Sequence, residues 1–134
     1  MAAVDTNIVV RLLTQDDEIQ YQKSLDIFQK QEVFIPDPVI LETEWVLRFA
    51  YKFKTSEICS AFRKLFGLPN VYLVNSNLVY RAIQWHENGL DFADAFHLAQ
   101  SQDRYCLYTF DEKFIKKANG LTSCEVKNPF HSAL

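Results

Sequence analysis

The chain has 134 residues, 49% of them hydrophobic and 14% aromatic, with a formal net charge of −3. This is the length of one domain with enough apolar material for a sizeable core, which excludes a disordered chain. No run of about eighteen apolar residues is present, which excludes a long apolar spanning helix, and Cys59, Cys106 and Cys124 lack any C-x-x-C spacing, which speaks against a disulfide framework or zinc site and suits a reducing cytoplasm.

The N-terminus has no basic-then-apolar leader. Ala2–Val4 is short, apolar and followed by Asp5, the pattern of a buried strand. A helix is predicted over Asn7–Leu13, and a second over Asp16–Gln31 with Ile19, Leu25 and Phe28 as its apolar members. Val33–Ile35 is a short strand before Pro36 and Pro38. Helices follow over Val39–Phe53 and Ser56–Phe66, the latter stopped by Gly67 and Pro69. Val71–Val74 is a strand, and Asn75 or Ser76 caps a helix over Leu78–Asn88 that ends at Gly89. The remaining elements are a helix over Asp91–Asp103, a strand over Tyr105–Thr109, a short helix over Glu112–Ala118 and a last strand at Cys124–Val126. Short β runs alternating with longer helices predict an α/β fold, a small parallel sheet flanked by helices. Sites in such sheets form beyond the carboxyl ends of strands.

Acids in apolar settings are the informative ones. At 100° per residue, Val39, Glu42, Val46, Phe49, Ala50 and Phe53 share a stripe of their helix, so Glu42 is expected to be partly buried. Glu44 points elsewhere and has Arg48 four residues on, a surface pairing. Asp94 is surrounded by Ala93, Ala95, Phe96 and Leu98. Asp91, three residues earlier, reads equally as a helix cap or an acid on the same side. Asp5 and Asp111 each follow a short apolar strand and precede a helix, where a cap and a site ligand are compatible roles.

Asp5, Glu42, Asp94 and Asp111 have a common physical reading. Two carboxylates ~4 Å apart repel by about 4 kcal/mol at an effective dielectric near 20, so a convergent set needs a counter-charge. All-oxygen ligands suit Mg²⁺ or Mn²⁺. Such an ion binds phosphate oxygens and lowers the pKa of a bound water, which makes phosphodiester hydrolysis the natural reaction class.

Asp5-Thr6-Asn7, PVILETEWVLRFAY at 38–51, DFADAFHLA at 91–99 and YTFD at 108–111 together resemble the PIN-domain ribonucleases, and more narrowly the VapC-like toxins of type II toxin–antitoxin pairs. The resemblance covers essentially the whole chain. It implies one PIN domain over residues 1–134, Rossmann-like with three α/β/α layers. Asp5, Glu42, Asp94 and Asp111 match the family's acidic ligands, and Asp91 matches an additional acid of the outer shell. Asn7 matches a residue supporting the first aspartate, and Thr109 one orienting Asp111 or a water.

The implied activity is a Mg²⁺- or Mn²⁺-dependent endoribonuclease that leaves a 5′-phosphate and a 3′-hydroxyl. It acts on structured RNA, tRNA or rRNA, and so inhibits translation. The implied partners are a cognate VapB-type antitoxin and a second copy of the chain. RNA would be held by bases among Arg11, Lys52, Lys54, Arg63, Lys64, Lys113, Lys116 and Lys117, with Arg11, Lys113, Lys116 and Lys117 the selected candidates. Three other readings are a PIN nuclease that is not a toxin, a non-catalytic acidic interaction module, and an aspartyl phosphotransferase. Asn7 weakens the last, because it stands where an Asp-x-Asp pair would put its second acid. His86 and His97 are expected in the core or on a helix surface, Phe49, Phe53, Phe92 and Phe96 in the core, Trp45 and Trp85 in the core or a dimer interface, and the cysteines buried and inert. The tail NPFHSAL packs across the fold or hangs free.

Overall fold

Strands of two or three residues bury little alone, so these β runs depend on partners and on helices that cover them. The computed structural model describes residues 1–131, and these fall into two compact units divided between Ser76 and Asn77. The first contains β1 (Ala2–Ala3), α1 (Thr6–Thr14), α2 (Glu18–Lys30), β2 (Val33–Phe34), α3 (Asp37–Phe49), α4 (Thr55–Phe66) and β3 (Val71–Tyr72). The second contains α5 (Ser76–Glu87), α6 (Phe92–Gln100), β4 (Cys106–Tyr108), α7 (Glu112–Ala118) and β5 (Glu125–Lys127), followed by a 3₁₀ turn at Pro129–His131. Ser132, Ala133 and Leu134, the end of the NPFHSAL tail, lie outside the described residues.

The α/β class holds, with every strand pair parallel. The strands form a three-stranded sheet in the order β1-β2-β3 and a separate two-stranded sheet, β4-β5. In the first, Ala2 and Val33 are partners, as are Val33 and Val71. Parallel neighbours need crossovers, and α1–α2, α3–α4 and α7 supply them.

Local sequence sets most boundaries. Asp5 caps α1 by accepting the amide of Ile8 at 3.2 Å, and Asp17 caps α2 through Gln20 at 3.0 Å. Pro38 sits in the first turn of α3, where no amide is needed. That helix stops at Phe49, earlier than its pattern predicts, and Lys52 just beyond takes a left-handed φ of 59°. Gly89, at φ 106°, makes the turn into α6, a conformation that a side chain resists. The helix read as Asp91–Asp103 spans Phe92–Gln100 with Asp91 as its cap.

The buried face of α3 differs from the expected stripe. Ile40, Thr43, Glu44 and Leu47 are buried, whereas Glu42, Trp45, Phe49 and Ala50 are exposed. The helix carries apolar residues on two adjacent stripes, and the neighbours decide between them. Here α1 and α4 pack on α3. The fully buried side chains of this unit include Val9, Val33, Ile35, Ile40, Leu47, Ile58 and Phe62. In the second unit they include Val79, Ile83, Phe92, Phe96 and Leu98. Each such side chain contributes about 1.5–3 kcal/mol over leaving it exposed. Trp85 joins this core, while Trp45 is 56% and Phe49 47% exposed. No described helix is long and apolar enough to cross a membrane.

Candidate functional site

In the first unit the residue after Asp5 reaches Glu42 through its hydroxyl. Asp5 follows β1 at its carboxyl end, and the start of α1 directs its carboxylate to the amide of Ile8. The next residue, Thr6, is buried, and its hydroxyl donates to the carboxylate of Glu42 on α3. Glu42 therefore meets the residue that follows Asp5, and it is exposed, not partly buried as its stripe predicted. Glu44 also departs from expectation. It is only 2% exposed, and Arg48 donates to it from Nε at 2.8 Å and Nη2 at 3.2 Å. The same guanidinium lies 4.6 Å from the ring centre of Phe49. The sequence places these glutamates two residues apart, and packing turned Glu44 inward while Glu42 faces solvent.

Asn7 and Asp5 open onto a groove of about 720 Å³ whose lining also includes Arg11, Gln20 and Lys23. Arg11 is engaged within the protein. Its Nη1 donates to Asp16 at 3.0 Å and to the Tyr51 hydroxyl at 2.8 Å, and its Nε donates to Gln20 at 2.6 Å. Tyr51 in turn donates to Asp16 at 2.7 Å, and Thr14 to the same carboxylate at 2.9 Å. Those hydrogen bonds, led by that of Tyr51, hold the Asp16 carboxyl below its ordinary range. The cluster ties the end of α1 to the start of α2 and to the segment after α3. It braces the two helices that carry Asp5 and Glu42.

In the second unit the charges of Asp91 and Asp111 bear on Asp94. Asp91 caps α6, accepting the amide of Asp94 at 3.2 Å. Asp94 lies half-buried in the first turn of that helix. Its carboxyl is pushed above the ordinary aspartate range, first by desolvation and then by the charges of Asp91 and Asp111, with His97 acting in the opposite sense. Asp111 follows β4 and caps α7 through the amides of Lys113 at 3.0 Å and Phe114 at 3.1 Å. Thr109 accepts the amide of Asp111 at 3.1 Å, so its hydroxyl orients the backbone of that residue.

Among the basic candidates, Lys117 donates its ammonium to the carbonyl of Gly89 at 2.8 Å, anchoring α7 to the turn before Asp91. Lys113 and Lys116 are exposed on α7. The imidazole of His86 is buried, with Nδ1 2.7 Å from the Leu90 carbonyl, and His97 is exposed on α6. Cys59 and Cys124 are buried and Cys106 is half-buried, all as free thiols.

The structure thus brings Glu42 to Thr6, the residue after Asp5, and sets Asp94 within reach of the charges of Asp91 and Asp111. Among the described residues no three His, Cys, Asp or Glu side chains are gathered closely enough to hold a metal ion. Sequence reasoning treated Thr6 as part of a motif and missed its bond to Glu42; a hydroxyl next to an acid at a strand end was the available signal. It also overlooked Tyr108, Phe110 and Phe130, which are strongly exposed.

No curated protein matches the chain. Among solved structures it is similar to the Mycobacterium tuberculosis toxin VapC20, described as sarcin-ricin loop cleaving, with 19% identity, a TM-score of 0.44 and coverage of 93% of this chain and 99% of that one. The model of the PIN domain family matches residues 2–120, a span that begins before Asp5 and ends after Asp111. The chain belongs to the PIN-domain family.

Proposed function

We propose that this protein is a divalent-metal-dependent endoribonuclease of the VapC-like toxin kind, one PIN domain over residues 1–134. Its activity depends on Asp5, Glu42, Asp94 and Asp111, with Asp91 in an outer role. The observation that supports this most is the match of the PIN domain family over residues 2–120, a span that holds all four acids. Beside it, Asp94 is half-buried and its carboxyl is raised by desolvation and by the charges of Asp91 and Asp111. A fold keeps such a carboxylate where something else offsets its charge. The donors are all oxygen, which fits Mg²⁺ or Mn²⁺ in preference to softer ions.

Bound to these acids, the ion would neutralise phosphate charge and lower the pKa of a water that attacks phosphorus. The chain's own residues prepare that chemistry. Thr6 keeps the Glu42 carboxylate turned toward the Asp5 end of α1. Thr109 fixes the backbone of Asp111, and two helix amides orient its carboxylate. The substrate is structured RNA, tRNA or rRNA, and cutting it stops translation. The toxin works in the cytoplasm as a homodimer and is silenced by a cognate VapB-type antitoxin. Lys113 and Lys116 are free to approach phosphates, whereas Arg11 and Lys117 serve the scaffold first.

Mapping new RNA 5′ ends after brief induction tests this reading. Sharp cuts in one RNA are expected, absent with Asp94→Asn, and reproduced by purified protein only with added Mg²⁺ or Mn²⁺. A folded wild-type protein that yields no new ends, or cuts equally in excess chelator, would overturn it. The first of those outcomes would favour a non-catalytic acidic module. Cuts without growth arrest would favour a PIN nuclease that is not a toxin.

A further inference from the structure

The second unit exposes aromatic rings on a backbone that is well anchored. Tyr108 is 52%, Phe110 69% and Phe130 83% exposed. Tyr108 ends β4, and Phe110 follows two residues on, in the bend that leads into α7. In the parallel ladder Tyr108 is the register partner of Lys127, and the amide of Thr109 donates to the Lys127 carbonyl at 3.0 Å. The Lys127 ammonium lies 5.6 Å from the centre of the Tyr108 ring. The buried Asn128 accepts the amide of Phe130 at 2.8 Å, which turns the chain at that point. The Phe130 ring then comes 5.5 Å from that of Phe110, tilted by 38°. Two pairs thus flank Thr109 in the chain, a tyrosine with a cation and a phenylalanine with a phenylalanine.

We propose that Tyr108, Phe110 and Phe130, with Lys127, form a stacking platform for unpaired RNA bases. The inference rests on the ribonuclease reading and names the part of the substrate that this surface takes. Two features favour RNA over a protein partner, beside the fact that a ring face accepts any base. Its polar member is a cation, which suits a phosphate backbone. Phe110 directly precedes Asp111, so a strand stacked here is delivered beside an acid of the proposed site. Unpaired bases splayed onto aromatic side chains are the usual target when a protein selects a loop within a structured RNA.

Equilibrium binding of a labelled short oligouridylate, followed by fluorescence anisotropy in chelator, separates stacking from cleavage. Wild-type protein should bind. Phe110→Ala and Tyr108→Ala should each weaken binding about five- to a hundredfold. Phe110→Trp should bind like wild type, whereas Phe110→Leu should not. An abasic strand of equal length should lose a similar factor, and the salt dependence should be unchanged by Phe110→Ala because no phosphate contact is removed. Wild-type affinity in Phe110→Leu, or equal binding of the abasic strand, overturns the platform. So does a change from dimer to monomer in Phe110→Ala with RNA binding intact, which would make this face a protein interface. Loss of binding in Phe110→Ala alongside a wild-type protein that never cuts RNA would sink the nuclease reading and leave the platform standing. Metal-dependent cleavage with unaltered binding in Phe110→Ala would do the reverse.

Discussion

Thr6 gives its hydroxyl to Glu42 and is itself buried, so the donor is held in place while the carboxylate it meets stays open to solvent. Thr6→Val keeps the shape and removes the donor, freeing the Glu42 carboxylate to turn. Outer partners that orient a metal-binding group are worth about 10- to 100-fold in affinity or activity. Thr6→Val is therefore expected to weaken Mn²⁺ binding by about that factor in calorimetry, and Thr6→Ser to restore most of it. Asp94 gives a pH signature. Its folded pKa is raised, so between the ordinary aspartate value and that raised value the folded state holds more protons than the unfolded one. Asp94 therefore destabilises the metal-free protein progressively as pH rises through this window. Asp94→Asn removes the charge, and its melting temperature without metal should exceed that of wild type at pH 7 and converge with it in acid. A lower melting temperature for Asp94→Asn at pH 7 would contradict the assigned direction.

At the scale of the element, three of the acids open helices. Asp5, Asp91 and Asp111 each accept amides at the start of α1, α6 and α7. The two functions of such a residue separate by substitution. Asp111→Ala should lower stability by about 1 kcal/mol in urea unfolding through loss of the cap. Asp111→Asn should retain the cap, stay close to wild-type stability and still lose cleavage. Equal stability of the Ala and Asn variants would show that the cap contributes nothing. Helix α3 makes a different point. Its period was legible, but Val39 and Val46 and the pair Ile40 and Leu47 define two apolar stripes about 100° apart. Glu44 went inward because α1 and α4 cover the second stripe and Arg48 meets its charge. Glu44→Ala should cost about 1.5–3 kcal/mol, the range for hydrogen bonds to charged groups, without changing metal affinity.

For the molecule as a whole, binding of an ion to the folded state alone raises stability by mass action. Mn²⁺ at a hundred times its dissociation constant should add about 2.7 kcal/mol, seen as a higher unfolding midpoint that chelator reverses. Asp94→Asn should abolish the effect, whereas a wild-type midpoint indifferent to Mn²⁺ would remove metal binding from the proposal. The net charge of −3 also reads differently once the acids are placed. Several of them are clustered or capped, and the cation beside the exposed rings, Lys127, is a single residue that no net count isolates.

The sequence by itself determined the α/β class, the order of the elements, the helix caps at Asp5, Asp91 and Asp111, and the family to which the chain belongs. These depend on local patterns: alternating apolar runs, side-chain oxygens at helix starts, and acids at fixed distances from strand ends. Only the tertiary structure decided which face of α3 is buried, that Thr6 reaches Glu42, that Arg11 and Lys117 brace the scaffold, and that Phe110 meets Phe130 in the open. Each depends on side chains far apart in the chain, and a pattern read along one segment contains no information about what covers it.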